Sequence, residues 1–163
     1  MRLNMDEQLC TIGEAADVLG ISIPTLRLYE REGLIITHRR NSRHRRYTQS
    51  DLERIRCLRT MINKEKVSVE GIKRLLAMIP CWKMKGCPEE ERNSCPAFLQ
   101  QDKPCWMASG KSWKCKSEEC RDCIVYCSSS RCYDLKQIIA AYTTTPDSIS
   151  AAISPSPTVE TVP

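Results

Sequence analysis

At 163 residues, 41% apolar and 28% charged, the chain has the make-up of an ordinary soluble protein of one domain or two small ones. No apolar run approaches the roughly 20 residues of a membrane helix, and Met1–Glu7 is too polar for a secretory signal, so a cytoplasmic location is expected. The formal charge of +5 is concentrated early: residues 1–79 carry 15 Lys/Arg against 10 Asp/Glu, residues 80–142 carry 10 against 8, and residues 143–163 hold two acids and no base. A first half biased in this way suits a polyanionic partner.

In chain order, residues 1–10 read as a flexible lead-in. Thr11 offers an N-cap hydroxyl and Glu14 completes a capping box. Ile12, Ala15, Ala16 and Leu19 recur at helical spacing, so a first helix is predicted over 12–19, ended by Gly20. Ser22 is the candidate cap of a second helix that tolerates Pro24 in its first turn and stops at Gly33. Leu34-Ile35-Ile36 begins a strand, Asn41-Ser42 makes a hairpin tip, and Arg43 to Tyr47 form the return strand. Ser50-Asp51-Leu52-Glu53 reads as a second capping box, opening a helix over about 51–63 with Leu52, Ile55, Leu58, Met61 and Ile62 inward; Cys57 packs on or beside it. Ser68 caps a fourth helix with the stripe Val69, Ile72, Leu75, Leu76 and Ile79, and Pro80 stops it.

Five arginines fall within Arg39–Arg46. A helix narrow enough for a major groove, beside a loop dense in guanidinium groups, is what reading a DNA duplex requires. The fold class expected is mainly α: a helix-turn-helix of four helices plus a β-hairpin (winged, by the resemblance given below), a small irregular cysteine-rich module, and a disordered tail. The predicted divisions are a lead-in (1–10), a DNA-binding domain (11–79), a cysteine-rich module (80–133), a short helix (134–142) and a Thr/Ser/Pro-rich tail (143–163).

Nine of eleven cysteines lie between Cys81 and Cys132. Without an export signal, metal or redox chemistry is a better reading than a disulfide framework. The segment has no histidine, so a site built from Cys81, Cys87, Cys95, Cys105, Cys115, Cys120, Cys123 and Cys127 would be thiolate-based, suited to zinc or an iron–sulfur cluster. Reversible disulfide formation and plain packing of reduced cysteines remain open beside it. Trp82 and Trp106 are expected as anchors of the module's core. An enzyme, such as a thiol oxidoreductase on Cys120 and Cys123, would need a βαβ setting that the pattern does not provide.

The stretch Thr11–Leu76 resembles the winged-helix domain of the MerR family of bacterial regulators. The pieces that carry the likeness are Thr11-Ile12-Gly13-Glu14-Ala15-Ala16, Thr25-Leu26-Arg27-Leu28-Tyr29-Glu30-Arg31-Glu32-Gly33-Leu34-Ile35, Arg45-Arg46-Tyr47-Thr48, Ser50-Asp51-Leu52 and Ser68-Val69-Glu70-Gly71-Ile72-Lys73. The resemblance implies a transcription regulator, not an enzyme, that binds promoter DNA as a homodimer, distorts it, and works with RNA polymerase. It places Thr25, Arg27 and Tyr29 of the second helix at DNA, with Arg39, Arg40, Arg43, Arg45 and Arg46 gripping from the wing; Ser22 and Tyr47 are further candidates, and for Tyr29 and Tyr47 a buried ring with an exposed hydroxyl stands beside direct phosphate contact. Many relatives have Tyr where this chain has Leu28, and relatives usually continue into a long dimer helix where this chain has Pro80 and cysteines. The pattern Cys81-Trp82, Cys105-Trp106 and Cys120-Arg121-Asp122-Cys123 resembles the bacterial two-CW module. Its expected role is a metal, cluster or redox input; the alternative is an adaptor whose zinc-structured module docks a protein partner.

Overall fold

The computed structural model describes residues 9–39, 44–130 and 134–144. Thr11 caps the first helix, α1 (Ile12–Leu19), through the anticipated capping box: its hydroxyl accepts from the Glu14 N–H while Glu14 accepts from the Thr11 N–H. Gly20 closes α1 at φ +60°, where a side chain would be strained. Ser22 caps α2 (Ile23–Arg31), and Leu26 turns fully inward onto α1. Two apolar stripes meeting across a glycine turn produce the helix-turn-helix. Arg59 secures the turn from behind by donating to the Leu19 carbonyl at 2.6 Å.

A small antiparallel sheet in the order β1-β3-β2 flanks this pair. β2 (His38–Arg39) and β3 (Arg45–Tyr47) form the expected arm, and β1 (Cys10–Thr11) adds a third strand on Tyr47 and Arg46. Cys10 thus belongs to the fold and not to the flexible lead-in that the sequence suggested. The anticipated strand at Leu34-Ile35-Ile36 is also displaced: pairing starts at His38. Leu34 and Ile35 are buried as core, and the Ile36 N–H is already taken by the Tyr126 hydroxyl at 2.8 Å, so it has no donor left for a ladder. The expected tip Asn41-Ser42 lies outside the described residues, as do residues 1–8.

α3 (Gln49–Asn63) begins two residues before its predicted start. Its cap is Thr48, paired with Asp51 in a capping box, instead of Ser50 with Glu53. α4 (Val69–Ala77) is capped by Ser68 as expected, and the two helices close the core through Leu52, Ile55, Leu58, Met61, Ile72, Leu76 and Ile79. Cys57 lies on the buried side of α3 and is disulfide-bonded.

From Pro80 the chain becomes a series of single-turn helices: α5 (Cys81–Met84), α6 (Glu89–Arg92), α7 (Pro96–Leu99), a 3-10 turn (Cys105–Met107), α8 (Trp113–Lys116) and α9 (Ile124–Ser128). Internal cross-links are aromatic and polar: Trp82 meets Phe98 edge-on at 5.1 Å, Lys85 pairs with Glu118, and Ser112 donates to Glu91 at 2.6 Å. Cys123 and Val125 join the core of the first 79 residues, with Cys81, Cys105 and Trp106 packed against it. α10 (Leu135–Thr143) falls where a short helix was expected over 134–142, and it rests Leu135 and Ile138 on that core. Residues 145–163, the rest of the expected tail, lie outside the described residues.

Candidate nucleic-acid interface

One open groove is lined by Thr11, Ile12, Arg27, His44, Arg45 and Arg46. It brings the exposed face of α2 against the return strand of the arm, so arginines 18 and 19 residues apart in sequence face one space. Arg27 is exposed, and among the described residues it makes no hydrogen bond or ion pair within the chain. Arg46 is half-buried, its backbone paired to both Thr11 and His38, which holds its position on the central strand.

The remaining candidates divide by what they already touch. Ser22 and Thr25 share a 2.8 Å hydroxyl–hydroxyl contact, and Ser22 also accepts from the Thr25 N–H, so both build the start of α2 while keeping outward-facing surface. Arg45 donates to Glu30 of α2, and Thr37 donates to the same carboxylate at 2.8 Å. This bracing welds the arm to the helix and leaves Arg45 less charge to offer a phosphate.

Tyr47 departs from the outward placement: it is fully buried, among the described residues its hydroxyl has no partner, and burial pushes its phenol up to about 12, so its ring is part of the core. Tyr29 is likewise 5% exposed, with burial raising its phenol, and packs inward instead of facing a groove. Both rings follow from period: each stands where its helix or strand turns to the core. Arg39 contributes its backbone to β2, whereas Arg40 and Arg43 lie outside the described residues.

The predicted thiols are partly convergent. Cys81 and Cys105 share a hydrogen bond that pulls the Cys81 thiol below its ordinary value and pushes Cys105 far above it. Cys115 and Cys123 lie close enough for their charge to raise Cys105 further, and burial raises Cys115 and Cys87. Cys95 instead joins a separate small cluster with Ala97 and Ala108. Cys120 receives Lys111 Nζ at 2.7 Å, and Cys127 is exposed, donating to the Arg121 carbonyl. Among the described residues no group of three or more His, Cys, Asp or Glu side chains is arranged to hold a metal ion. Trp106 is an anchor as expected, but its hold is on the helix-turn-helix: Nε1 donates to the Gly33 carbonyl at 2.8 Å.

Three residues escaped the sequence reading altogether. Arg121 makes a two-pronged pair with Asp51 at 2.7 and 2.9 Å and also donates to the Ile36 carbonyl. Arg54, 2% exposed, donates to the Tyr126 carbonyl and to Ser129, with its guanidinium 3.9 Å from the Tyr126 ring centre. Burial pulls its basicity below the ordinary arginine value, opposed by Tyr126 and Asp51. Tyr126 meets Trp106 edge-on at 5.2 Å. The only sequence signal for Arg121 and Tyr126 was their place among the cysteines; Arg54, within α3, had none.

Comparison with known proteins bears on the same region. Residues 10–79 match the family described as MerR HTH family regulatory protein. A Streptomyces coelicolor protein named as heat shock protein HspR is 34% identical over 76 residues, covering 47% of this chain and 50% of that protein. The chain thus spans about half the length of this curated relative. No solved structure matches the chain significantly. No helix among the described residues is long and apolar enough to cross a membrane.

Proposed function

We propose, from the premise that residues 10–79 are a MerR-family helix-turn-helix domain, that the chain is a sequence-specific DNA-binding transcription regulator. In this reading the domain is a winged helix. α2 enters the major groove with Arg27 reading a base edge, and the β2–β3 arm is the wing that grips the backbone. The observation that carries it is the shared groove of Arg27, His44, Arg45 and Arg46. Isolated surface arginines would be solvated and scattered; a helix and an arm converging their cations on one space fit a duplex. The protein would act as a homodimer on two half-sites, distort the promoter between them and present it to RNA polymerase. The relative's name ties that protein to heat shock, which makes a stress-response promoter a reasonable first target.

The cysteine-rich segment is the proposed input. The Cys81–Cys105 contact, with Cys115 and Cys123 near it, supports thiol chemistry there. Zinc or a cluster would draw on those same thiols and would need them to draw closer than they stand, given the ligand arrangement described above. The adaptor alternative predicts a protein captured by the segment when metal is bound and lost when the metal is stripped.

The test is selection of duplexes from fragmented genomic DNA, followed by affinity titration in salt. Neutralising about four phosphates should cost on the order of 100-fold in affinity between 50 and 200 mM salt. Failure to enrich any sequence, or a flat salt response, would end this reading.

A further inference from the structure

We propose that Arg121 and Tyr126 are positioning residues for DNA binding: they hold the N–H and the C=O of Ile36, and thereby fix the angle at which the wing leaves the helix-turn-helix. The inference rests on the reading of the chain as a DNA-binding regulator.

Ile36 lies on the stretch of chain that runs from α2 into the wing, between Gly33 at φ +69° and β2 at His38, beside the Arg45–Glu30 brace. Residues 34–37 belong to no strand, so the angle of the arm is not set by a ladder there. Both polar groups of Ile36 are bound by side chains from far along the chain. Its N–H donates to the Tyr126 hydroxyl at 2.8 Å, and its carbonyl accepts from Arg121.

Each holder is itself fixed. Arg121 is pinned to Asp51 through both carboxylate oxygens and to the Thr48 hydroxyl at 3.2 Å, all at the start of α3. Tyr126 is wedged between the Arg54 guanidinium and the Trp106 edge, and Trp106 holds the Gly33 carbonyl. Met107 fills the space beside Gly33 so closely that an added Cβ would clash with its side chain. The cysteine-rich segment therefore grips both ends of the joint, at the close of α2 and at the root of the wing.

A wing held in its bound position loses less freedom when it meets DNA, and affinity rises accordingly. The holders also alternate with Cys120, Cys123 and Cys127, and Cys127 donates to the Arg121 carbonyl, so chemistry at these thiols would reach the wing through the same stretch.

The experiment compares the full-length protein with Tyr126→Phe, which removes one oxygen, and Arg121→Lys, which keeps the charge and loses the fork. Amide exchange is followed without DNA, and affinity for a duplex selected by the wild type is measured from 50 to 200 mM salt. In either variant, exchange at Ile36 and the β2–β3 amides should rise about 10-fold while α2 amides stay protected. Affinity should fall about 5- to 10-fold and the salt slope should drop by about one, the signature of a lost phosphate contact. Unchanged exchange at the wing, or a loosened wing with affinity and slope unaltered, would overturn the proposal. Wild-type protein that selects no duplex would instead remove the DNA-binding reading, and the exchange data would still report on the clamp by itself.

Discussion

Residues 10–79 and residues 80–130 are held together by different physics. The first region is a small apolar core: Ala15, Leu26, Leu34, Ile55 and Ile72 are at most 1% exposed, and the helices around them follow from periodicity and caps. The second has single-turn helices with few buried residues, and its order comes from aromatic edges, ion pairs and an attachment to the first. A core built from local pattern stands on its own contacts, whereas a segment this poor in burial takes its shape from what it leans on.

Removing a core side chain should therefore affect both regions together and give the largest change. Ile55→Ala leaves a cavity at a fully buried site and should cost about 4 kcal/mol. Chemical denaturation should show one transition at lower denaturant for probes in either region; a second region that melts separately would break the comparison. Next comes Asp51→Ala, which strips the Thr48 cap and leaves Arg121 without its carboxylate, a loss of about 3 kcal/mol. Its loss should be felt first in the cysteine-rich segment, as faster amide exchange at residues 121–128 than in α1.

Thr11→Ala tests a purely local device. It removes the α1 capping box and should cost about 1 kcal/mol by thermal or urea unfolding, with exchange in the second region unaltered. Tyr47→Phe should work in the opposite direction, gaining up to about 1 kcal/mol because a buried hydroxyl without a partner is removed. DNA affinity should not change. The phenol of Tyr47 is raised in the fold to about 12 from an ordinary 10, so its neutral form supports the native state fully below pH 10, and that support is lost as pH rises toward 12. Alkaline unfolding curves of the phenylalanine variant should lack this component between pH 10 and 12.

The same contrast explains what could be read from the chain beforehand. Thr11, Ser22 and Ser68 announce their helices because capping is a contact over three residues, and the helical period sets the inward stripes of α3 and α4, except that Leu75, expected inward, is exposed. Thr48 was missed because two overlapping frames, Thr48 to Asp51 and Ser50 to Glu53, both look like capping boxes. Asp51 is drawn inward by Arg121, 70 residues away, and that decides between them. For Tyr29 and Tyr47 the residue types leave buried ring and phosphate contact both open, and their place in the period turns the rings to the core. Arg54 is a buried cation whose partner carbonyl is on Tyr126, 72 residues on, and no local pattern can encode such a pair. In the candidate site, Arg27 and Arg46 were legible as cations on a helix and an arm; that they face one groove required the fold.

The most direct test of the central claim is the affinity of Arg27→Ala and Arg46→Ala for the selected duplex and for an unrelated one. Both side chains lie outside the core, so folding should be unaffected. Arg27→Ala should lose about 1–3 kcal/mol on the selected duplex and much less on the unrelated one, whereas Arg46→Ala should weaken both alike and lower the salt slope by about one. Affinities within twofold of wild type for both variants would contradict the account of helix and arm as one DNA-gripping surface.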